Sequence, residues 1–275
     1  MNNFISRTLS GIVFVLLILG SLLISPLVFA LLMLVVNLLG VAEIIRLTAG
    51  PKPNKALLRT GQLLSVLFYS LIASVALGYF PFIAMLPAVG LMLLPFVFAL
   101  FSKASSFGQT AAALWSSILL VALPSATLTL FFNESLFGEK AGPMLVFILL
   151  VMIWINDIFA YLFGSWLGKH RLFERISPKK SWEGSIGGVF MTLMLTTAFY
   201  YLTQFMPLLV LLGMALLVVV TAVIGDLIES MLKRQAGVKD SGTLIPGHGG
   251  ILDRFDATFF AAPFVFIYLL IILSV

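Results

Sequence analysis

The sequence has 275 residues, of which 61% are hydrophobic and only 10% are charged, and its mean hydropathy is +1.16. This composition excludes an ordinary soluble domain and is typical of a protein embedded in a lipid bilayer. The formal net charge is +5, and the chain contains no cysteine. Disulfides, thiolate nucleophiles and thiolate metal ligands are therefore excluded, so a bound metal must use oxygen or histidine ligands.

Nine apolar runs follow one another along the chain. A membrane core is about 30 Å thick and needs roughly 20 mostly apolar residues per helix. The runs are continuous and lack the alternation of an outer-membrane barrel strand, so they predict an all-α, polytopic integral membrane protein with about nine transmembrane helices. We expect the first run to be a retained anchor rather than a cleaved signal peptide. The predicted spans are 8–24, 27–45, 62–80, 82–101, 110–132, 143–166, 186–204, 207–231 and 257–274.

The basic residues predict how these helices are oriented. With nine spans, every Lys and Arg except Lys140 lies before the first span or in an even-numbered loop. Cytoplasmic loops of membrane proteins carry the excess of Lys and Arg. The N-terminus and the even-numbered loops are therefore predicted to be cytoplasmic, with the C-terminus outside.

The ionisable residues are concentrated in the C-terminal half of the chain. This half holds eight of the eleven acidic residues and both histidines. Ionisable groups at membrane depth cost at least about 2.5 kcal/mol on insertion scales and indicate function; Asp157, Asp226 and Glu229 are of this kind. We expect one membrane domain over residues 1–275, in which 1–142 is a helical scaffold and 143–275 supplies the catalytic helices and cytoplasmic loops.

The first polar segment, 156–170, ends the sixth span. Asp157 and Tyr161 are four residues apart and therefore share a helix face. Gly164 and Gly168 form a small-residue pair that permits close helix packing. The carboxylate could hold a cation or a substrate hydroxyl, or it could simply pair with a neighbouring Lys or Arg.

The second polar segment, 177–188, is predicted to be a cytoplasmic loop that leads into the seventh span. Its lysines and hydroxyls, Lys179, Lys180, Ser177 and Ser181, precede a predicted helix start. Ammonium groups beside the N–H donors of a helix N-terminus suit phosphate binding. The alternative is that the lysines serve only as a topology signal.

The third segment, 225–256, carries the densest chemistry. Asp226, Glu229 and Lys233 recur at helical spacing, and Asp253 and Asp256 repeat a three-residue spacing where the ninth span begins. Such carboxylates suit Mg²⁺, which commonly binds through one or two carboxylates together with substrate phosphates.

A glycine-rich turn lies between these two helices. Glycines at 247, 249 and 250 would let backbone N–H groups approach an anion closely. Nearby cations could neutralise several phosphate charges; they are Lys233, Arg234, Lys239 and Arg254. Together these features indicate a nucleoside triphosphate site.

At this point the sequence resembles the phosphatidate cytidylyltransferases, also called CDP-diacylglycerol synthases. The family signature appears as SMLKR at 230–234, KD at 239–240 and PGHGGILDRFD at 246–256. A match of this length is far more specific than a single short motif. The resemblance extends to the segments around Asp226, Lys180 and Asp157. Ile158 departs from the small hydroxyl residue expected there, and Ser181 replaces a more usual threonine.

The resemblance implies the reaction of CTP with phosphatidic acid to give CDP-diacylglycerol and pyrophosphate. It also implies a requirement for Mg²⁺, accompanied by a monovalent cation such as K⁺, in a homodimer that does not bind nucleic acid. The expected location is the bacterial cytoplasmic (inner) membrane, with the active site facing the cytoplasm.

By motif position, Asp226 and Asp253 would be the metal ligands, and Asp256 is the next candidate. The expected catalytic residues are Asp226, Asp253, Asp256, Lys233, Lys239 and Asp240. The expected substrate-binding and phosphate-binding residues are Ser177, Lys179, Lys180, Ser181, Arg234, Gly247, His248, Gly249, Gly250, Arg254, Asp157 and Tyr161.

Three other functions remain open from the residues alone. A CTP-dependent lipid kinase would need the same basic pocket and Mg²⁺. An ion-coupled transporter would place its carboxylates near the midplane, with broken helices in both halves, whereas here they gather in one half. A non-catalytic lipid-binding homologue would not need the intact charged set. A CDP-alcohol phosphotransferase is less consistent, because its DG-x-x-AR motif is missing.

Overall fold

The computed structural model describes residues 3–102, 106–138, 140–244 and 249–273, with side chains from residue 8 onward. The regular elements of this part of the chain are twelve α-helices, a 3₁₀ turn, a π-helical segment and one β-hairpin. The helices are α1 Asn3–Ile24, α2 Pro26–Ala49, α3 Lys55–Ala76, α4 Pro87–Leu91, α5 Leu94–Phe101, α6 Phe107–Ser117, α7 Leu123–Leu130, α8 Glu134–Phe137, α9 Ala141–Leu167, α10 Trp182–Thr203, α11 Leu208–Gln235 and α12 Leu252–Leu273. The strands are β1 Arg171–Phe173 and β2 Ser177–Ser181.

The predicted class, an all-α polytopic membrane protein, is confirmed. Within the described residues, eight helical segments are long and apolar enough to cross a membrane. Eight of the nine predicted spans correspond to these segments; the first predicted span, 8–24, corresponds to α1, whose described apolar stretch, Thr8–Ile24, is shorter. The predicted orientation of the termini stays a prediction.

Several helices extend beyond the predicted apolar spans, because polar residues continue them at their ends. Helix α3 begins at Lys55, where the Asn54 side chain accepts a hydrogen bond from the Ala56 N–H at 2.8 Å. Helix α11 continues to Gln235, and α12 already begins at Leu252. The carboxylates at 226, 253 and 256 therefore all lie on helices.

Two predicted spans are interrupted. The run Phe82–Phe101 consists of a 3₁₀ turn at Phe82–Met85 followed by α4 and α5, and each of these two helices starts at or next to a proline. The run Phe107–Leu130 contains a π-helical segment, Ile118–Ala122, just before Pro124. Proline has no N–H to donate to the preceding turn, which accounts for the widened segment.

The chain divides into two compact units, each formed from two stretches of sequence. Unit 1 comprises Met1–Leu145 and Leu232–Phe255, and unit 2 comprises Val146–Met231 and Asp256–Val275. The single membrane domain expected from the sequence stays a prediction.

Helix α2 is central to unit 1, since it contacts α1, α3, α6 and α7. Its buried face includes Phe29 and Met33, which are 1% exposed. Two buried polar side chains of the unit bond to the backbone of other segments: the Tyr69 hydroxyl donates to the Ala30 carbonyl at 2.6 Å, and the Asn133 amide donates to the Val75 carbonyl at 2.8 Å. Such bonds remove the penalty for burying a polar group in an apolar environment.

In unit 2, the chain passes from α9 through the β-hairpin into α10. The hairpin is antiparallel and pairs Arg171 with Ser181 and Phe173 with Ser177. Residues 177–181, predicted to be a loop, are thus a strand that ends directly at the start of α10.

Candidate functional site

A cavity of about 600 Å³ lies in unit 2, where α9, the β-hairpin, α10 and α11 meet. This volume is within the range of small-molecule sites. We call it the Lys180 cavity; it is lined by Asn156, Asp157, Ala160, Tyr161, Gly164, Ser165, Gly168, Arg171, Lys179, Lys180, Ser181, Ser185, Val223 and Asp226. Six residues that the sequence singled out for function therefore line the same cavity: Asp157, Tyr161, Lys179, Lys180, Ser181 and Asp226.

An ion pair joins the two charged sides of this cavity. The Lys180 ammonium contacts the Asp226 carboxylate, and both side chains remain partly accessible, at 28% and 33%. The second Asp226 oxygen accepts a hydrogen bond from the Ser230 hydroxyl at 3.1 Å. Asp157, which also lines the cavity, accepts a hydrogen bond from the neighbouring Asn156 amide at 3.4 Å. Basic and acidic groups thus face the same accessible space.

The β-hairpin determines where the lysines lie. Strand β2 carries Lys179 and Lys180 directly to Ser181, the N-cap of α10, whose hydroxyl accepts a hydrogen bond from the Gly184 N–H at 3.2 Å. The Glu183 carboxylate accepts hydrogen bonds from the Lys169 N–H at 3.1 Å and the His170 N–H at 3.2 Å. These contacts attach the end of α9 to the start of α10.

Glycines allow α9 and α10 to approach closely, as predicted for Gly164 and Gly168. A methyl group on Gly168 would lie 2.7 Å from the Ser181 hydroxyl. On the facing helix, a methyl group on Gly184 would lie 2.6 Å from the Ala160 carbonyl and 3.0 Å from the Gly164 Cα. The glycine positions are therefore required for packing, and they bring the α10 N-terminus against α9.

A second group of charged residues lies in unit 1, and we call it the Asp253 cluster: Glu43, Lys233, Ser241, Gly250 and Asp253. The Lys233 ammonium donates to Asp253 Oδ1 at 2.6 Å. Oδ2 of the same carboxylate accepts from the Ser241 N–H and the Gly250 N–H, both at 2.8 Å, and from the Ser241 hydroxyl at 3.0 Å. The Lys233 and Asp253 side chains are only 11% and 6% exposed.

The glycine turn next to this cluster is partly described. Gly249 has a φ of +84°, a conformation that glycine adopts readily, and a methyl group there would collide with Asp253. Gly247 and His248, two of the predicted binding residues, lie outside the described residues. The predicted role of the turn in binding phosphate stays a prediction.

The other predicted residues belong to neither of these two groups. Arg234, Lys239, Asp240 and Arg254 are exposed, and the Arg234 guanidinium donates to the Val238 carbonyl at 3.3 Å. Asp256 belongs to unit 2, where its carboxylate accepts from the Ala257 N–H at 2.7 Å. Among the described residues, no group of three or more histidines or carboxylates has the arrangement of a metal site. The metal-ligand roles of Asp226, Asp253 and Asp256 stay predictions.

Comparison with known proteins assigns the chain to a family. A sequence model described as "Cytidylyltransferase family" matches residues 5–272, nearly the whole chain. The chain belongs to the cytidylyltransferase family. A phosphatidate cytidylyltransferase of Staphylococcus aureus is 44% identical over 142 residues, which is 51% of this chain and 54% of that protein. The chain spans about half the length of the curated relatives that it matches.

Two further relatives carry the same name. The Bacillus subtilis protein is 45% identical over 132 residues, covering 48% of this chain and 49% of its own length. The Synechocystis protein is 46% identical over 136 residues, covering 49% of this chain and 46% of its own length. Family membership confirms the resemblance inferred from the residues at 230–234, 239–240 and 246–256.

Sequence reasoning missed two polar residues. Glu43, in the N-terminal half, accepts hydrogen bonds in the Asp253 cluster. The only feature of the sequence that could have indicated its role is the presence of a carboxylate inside a long apolar helix. Asn156 lines the Lys180 cavity at 1% exposure, and its side-chain oxygen has no hydrogen-bond partner in the described part of the chain. A methyl group on Gly188 would lie 2.6 Å from that oxygen, so this glycine makes room for it.

Proposed function

We propose that this protein transfers CMP from CTP to phosphatidic acid, giving CDP-diacylglycerol and pyrophosphate. The observation that carries the proposal is the Lys180 cavity, in which cationic and acidic side chains from four elements face one space large enough for a ligand. Family membership and the names of the relatives support the same activity. A bilayer is the required setting, because eight helical segments of the described chain are suited to crossing it.

The chemistry requires little more than positioning and charge neutralisation. A phosphate oxygen of phosphatidic acid attacks the α-phosphorus of CTP and forms a new P–O bond. The bond from the α-phosphorus to the bridging oxygen breaks, and pyrophosphate leaves with the electron pair. Since the nucleophile is already an anion, neither a covalent enzyme intermediate nor a strong base is needed.

Two anionic substrates repel each other, and the cationic wall of the Lys180 cavity would offset this repulsion. Arg171, Lys179 and Lys180 line it together. Lys180 is held by Asp226, so its ammonium is directed before substrate arrives. Preorganised charge of this kind stabilises a transition state more effectively than charge that must first reorient.

We also propose that Mg²⁺ takes part, together with a monovalent cation such as K⁺. Asp157 and Asp226 line one cavity, and two carboxylates combined with substrate phosphates fit the usual Mg²⁺ ligand set. When bound, Mg²⁺ would neutralise charge on the phosphate oxygens. A cation at either Asp226 or Asp253 would displace the paired lysine ammonium. Asp253 fits the role less readily, because its side chain is only 6% exposed and its carboxylate also accepts hydrogen bonds from Ser241 and Gly250.

The location and assembly are part of the proposal. We place the protein in a bacterial cytoplasmic membrane with the Lys180 cavity facing the cytoplasm, and we propose a homodimer. The distribution of Lys and Arg and the bacterial source of the relatives support the location. Acyl chains could then remain in the bilayer while the headgroup meets a soluble nucleotide.

Pyrophosphate release tests the proposal. Purified protein in lipid nanodiscs, supplied with CTP and Mg²⁺, should release pyrophosphate only when phosphatidic acid is present. Release should match CDP-diacylglycerol formation one to one. Production of CDP in place of pyrophosphate would indicate a lipid kinase, and the proposal would be wrong.

A further inference from the structure

Glu43 is a buried carboxylate that the proposed chemistry does not use. It lies on α2 and is 4% exposed. Helix α2 is otherwise highly apolar, and a carboxylate at such a position costs several kcal/mol unless hydrogen bonds compensate for its burial. Its surroundings must therefore supply donors.

The donors come from the segment that leads into α12. Glu43 Oε1 accepts from the Ile251 N–H at 3.0 Å, and Oε2 accepts from the Leu252 N–H at 2.9 Å. Leu252 is the first residue of α12. Helix N-termini expose N–H groups that lack intrahelical partners and carry a partial positive charge. Glu43 therefore caps α12 from a different helix.

Glu43 is also joined to Asp253 through a shared hydroxyl. The Ser241 hydroxyl lies 2.8 Å from Glu43 Oε2 and 3.0 Å from Asp253 Oδ2. Since the Gly250 N–H is bonded to Asp253 and the Ile251 N–H to Glu43, successive residues of the turn are held by two different carboxylates.

The backbone around Glu43 has no room for additional atoms. A methyl group on Gly242 would lie 2.5 Å from Glu43 Oε1, and one on Gly250 would collide with the same carboxylate. One turn earlier on α2, Gly40 lies against Leu252, where a methyl group would be 3.4 Å from its side chain. The Glu43 carboxylate is therefore packed closely against Gly242 and Gly250.

From these contacts we infer that Glu43 is a positioning residue for the reaction: it holds Ser241, Ile251 and Leu252, and through Ser241 the Asp253 carboxylate, in the arrangement that binding of CTP requires. This inference rests on the proposed function. Glu43 touches neither substrate nor metal itself. Its influence passes through Ser241, Ile251 and Leu252.

Glu43→Gln tests the inference with minimal change of shape. Glutamine keeps one acceptor but places an NH₂ group against backbone N–H donors, so at least one bond is lost. The expected result is a 10- to 100-fold fall in kcat/KM for CTP, based on about 1.5–3 kcal/mol for a hydrogen bond to a charged group, with KM rising more than kcat falls. Glu43→Asp, which keeps the charge, should recover part of the loss.

Asn37→Ala is the matched control. Asn37 is a fully buried polar residue on the same helix, but it donates to the Ser65 carbonyl of α3 rather than to the turn. A purely structural role of α2 would make the two variants alike. We expect Asn37→Ala to lower thermal stability while KM for CTP stays within about twofold of the wild-type value, well below a tenfold (1.4 kcal/mol) change.

A second readout does not depend on the reaction. The chain has no cysteine, so Ile251→Cys introduces a single thiol at a position that is 7% exposed. Compared with the protein that carries Ile251→Cys alone, maleimide should label this thiol at least about tenfold faster when Glu43→Gln is added. A tenfold change corresponds to a free-energy difference of about 1.4 kcal/mol. Labelling should be no faster when Asn37→Ala is added instead. If Glu43→Gln does not fold, Gly250→Ala tests the same contact from the other side, because its methyl group would collide with the Glu43 carboxylate. That variant should raise KM for CTP and speed labelling of the introduced thiol, and unchanged values would overturn the inference.

The activity and labelling measurements together distinguish a failure of the Glu43 inference from a failure of the proposed function. Faster labelling in a protein that shows no CMP transfer in any form would support the positioning of the turn and overturn the proposed function. Normal CMP transfer in the wild type, with unchanged KM, kcat and labelling in Glu43→Gln, would overturn the inference alone. A rise in KM in Asn37→Ala equal to that in Glu43→Gln would also overturn it.

Discussion

The Lys180–Asp226 pair of unit 2 and the Lys233–Asp253 pair of unit 1 have the same chemistry in different surroundings. The first pair is 28% and 33% exposed and lines a cavity of about 600 Å³. The second is 11% and 6% exposed, and its carboxylate accepts hydrogen bonds from two backbone N–H groups and a hydroxyl as well. A partly open pair can exchange its partner for a ligand at small cost, whereas a buried and fully bonded pair mainly orders the backbone around it.

The largest expected effect comes from Asp253→Ala. Removing this carboxylate takes away the acceptor of the Lys233 ammonium, the Gly250 N–H, and the N–H and hydroxyl of Ser241. Breaking a buried ion pair in this way destabilises a protein by about 3–5 kcal/mol. The free energy of unfolding, measured in detergent, should fall by that amount. Asp226→Ala is the matched variant in the more exposed pair and should lose about 1 kcal/mol or less. Equal losses in the two variants would contradict the distinction between the pairs.

The next largest effect is expected from Lys180→Met, and it falls on activity. The ammonium is placed to neutralise phosphate charge, so kcat/KM should fall about 100-fold, the lower part of the range for removing one preorganised electrostatic contact. Stability should change by less than about 1 kcal/mol.

Arg175→Gln serves as the control for Lys180→Met. Arg175 is exposed on the same hairpin and is not among the residues that line the Lys180 cavity. Its replacement should leave kcat/KM almost unchanged. If the two variants lost activity equally, a general effect of positive charge would explain the result better than the cavity does.

Gly184→Ala should have a smaller effect, which is a loss of stability in unit 2. The added methyl group would lie 2.6 Å from the Ala160 carbonyl, so α9 and α10 must separate. Overpacking of this kind costs about 1–3 kcal/mol, which a thermal unfolding experiment can measure. Gly108→Ala is the control, because a methyl group there meets nothing within 4 Å; that variant should be neutral or slightly more stable. A neutral Gly184→Ala variant would show that the close packing is dispensable.

Ser181→Ala is expected to have the smallest effect. Loss of the cap on α10 should lower the free energy of unfolding by about 1 kcal/mol. Because Ser181 also lines the Lys180 cavity, KM for CTP or phosphatidic acid should rise a few-fold. Ser106→Ala removes the corresponding cap of α6, where the hydroxyl accepts from the Gln109 N–H at 3.3 Å. That control should lose stability without a change in KM, and equal KM values in the two variants would remove Ser181 from the site.

Much of the fold follows directly from the sequence. Apolar runs of membrane-spanning length predicted the helices, and the Gly164 and Gly168 pair predicted the close approach of α9 and its neighbour. The common helix face of Asp157 and Tyr161 follows from their spacing on α9, and the position of the lysines just before a helix start follows from the sequence around Ser181. These are local patterns, within reach of a single sequence.

The parts that sequence reasoning missed depend on distant contacts or on very short elements. The Glu43 carboxylate meets the Leu252 N–H across 209 residues, and no local pattern connects them. The strands at 171–173 and 177–181 are too short and too charged to show strand periodicity, so the segment was predicted to be a loop. Pairing between the two strands, rather than the propensity of either one, forms this hairpin.

The most direct test of the proposed function follows the two ends of the triphosphate separately. Purified protein in nanodiscs that contain phosphatidic acid is supplied with CTP labelled at either the α- or the γ-phosphate. The proposed reaction predicts that the α-label enters the lipid fraction as CDP-diacylglycerol, that the γ-label leaves as pyrophosphate, and that Lys180→Met lowers both rates together. Transfer of the γ-label into lipid, or no transfer that depends on phosphatidic acid, would contradict it.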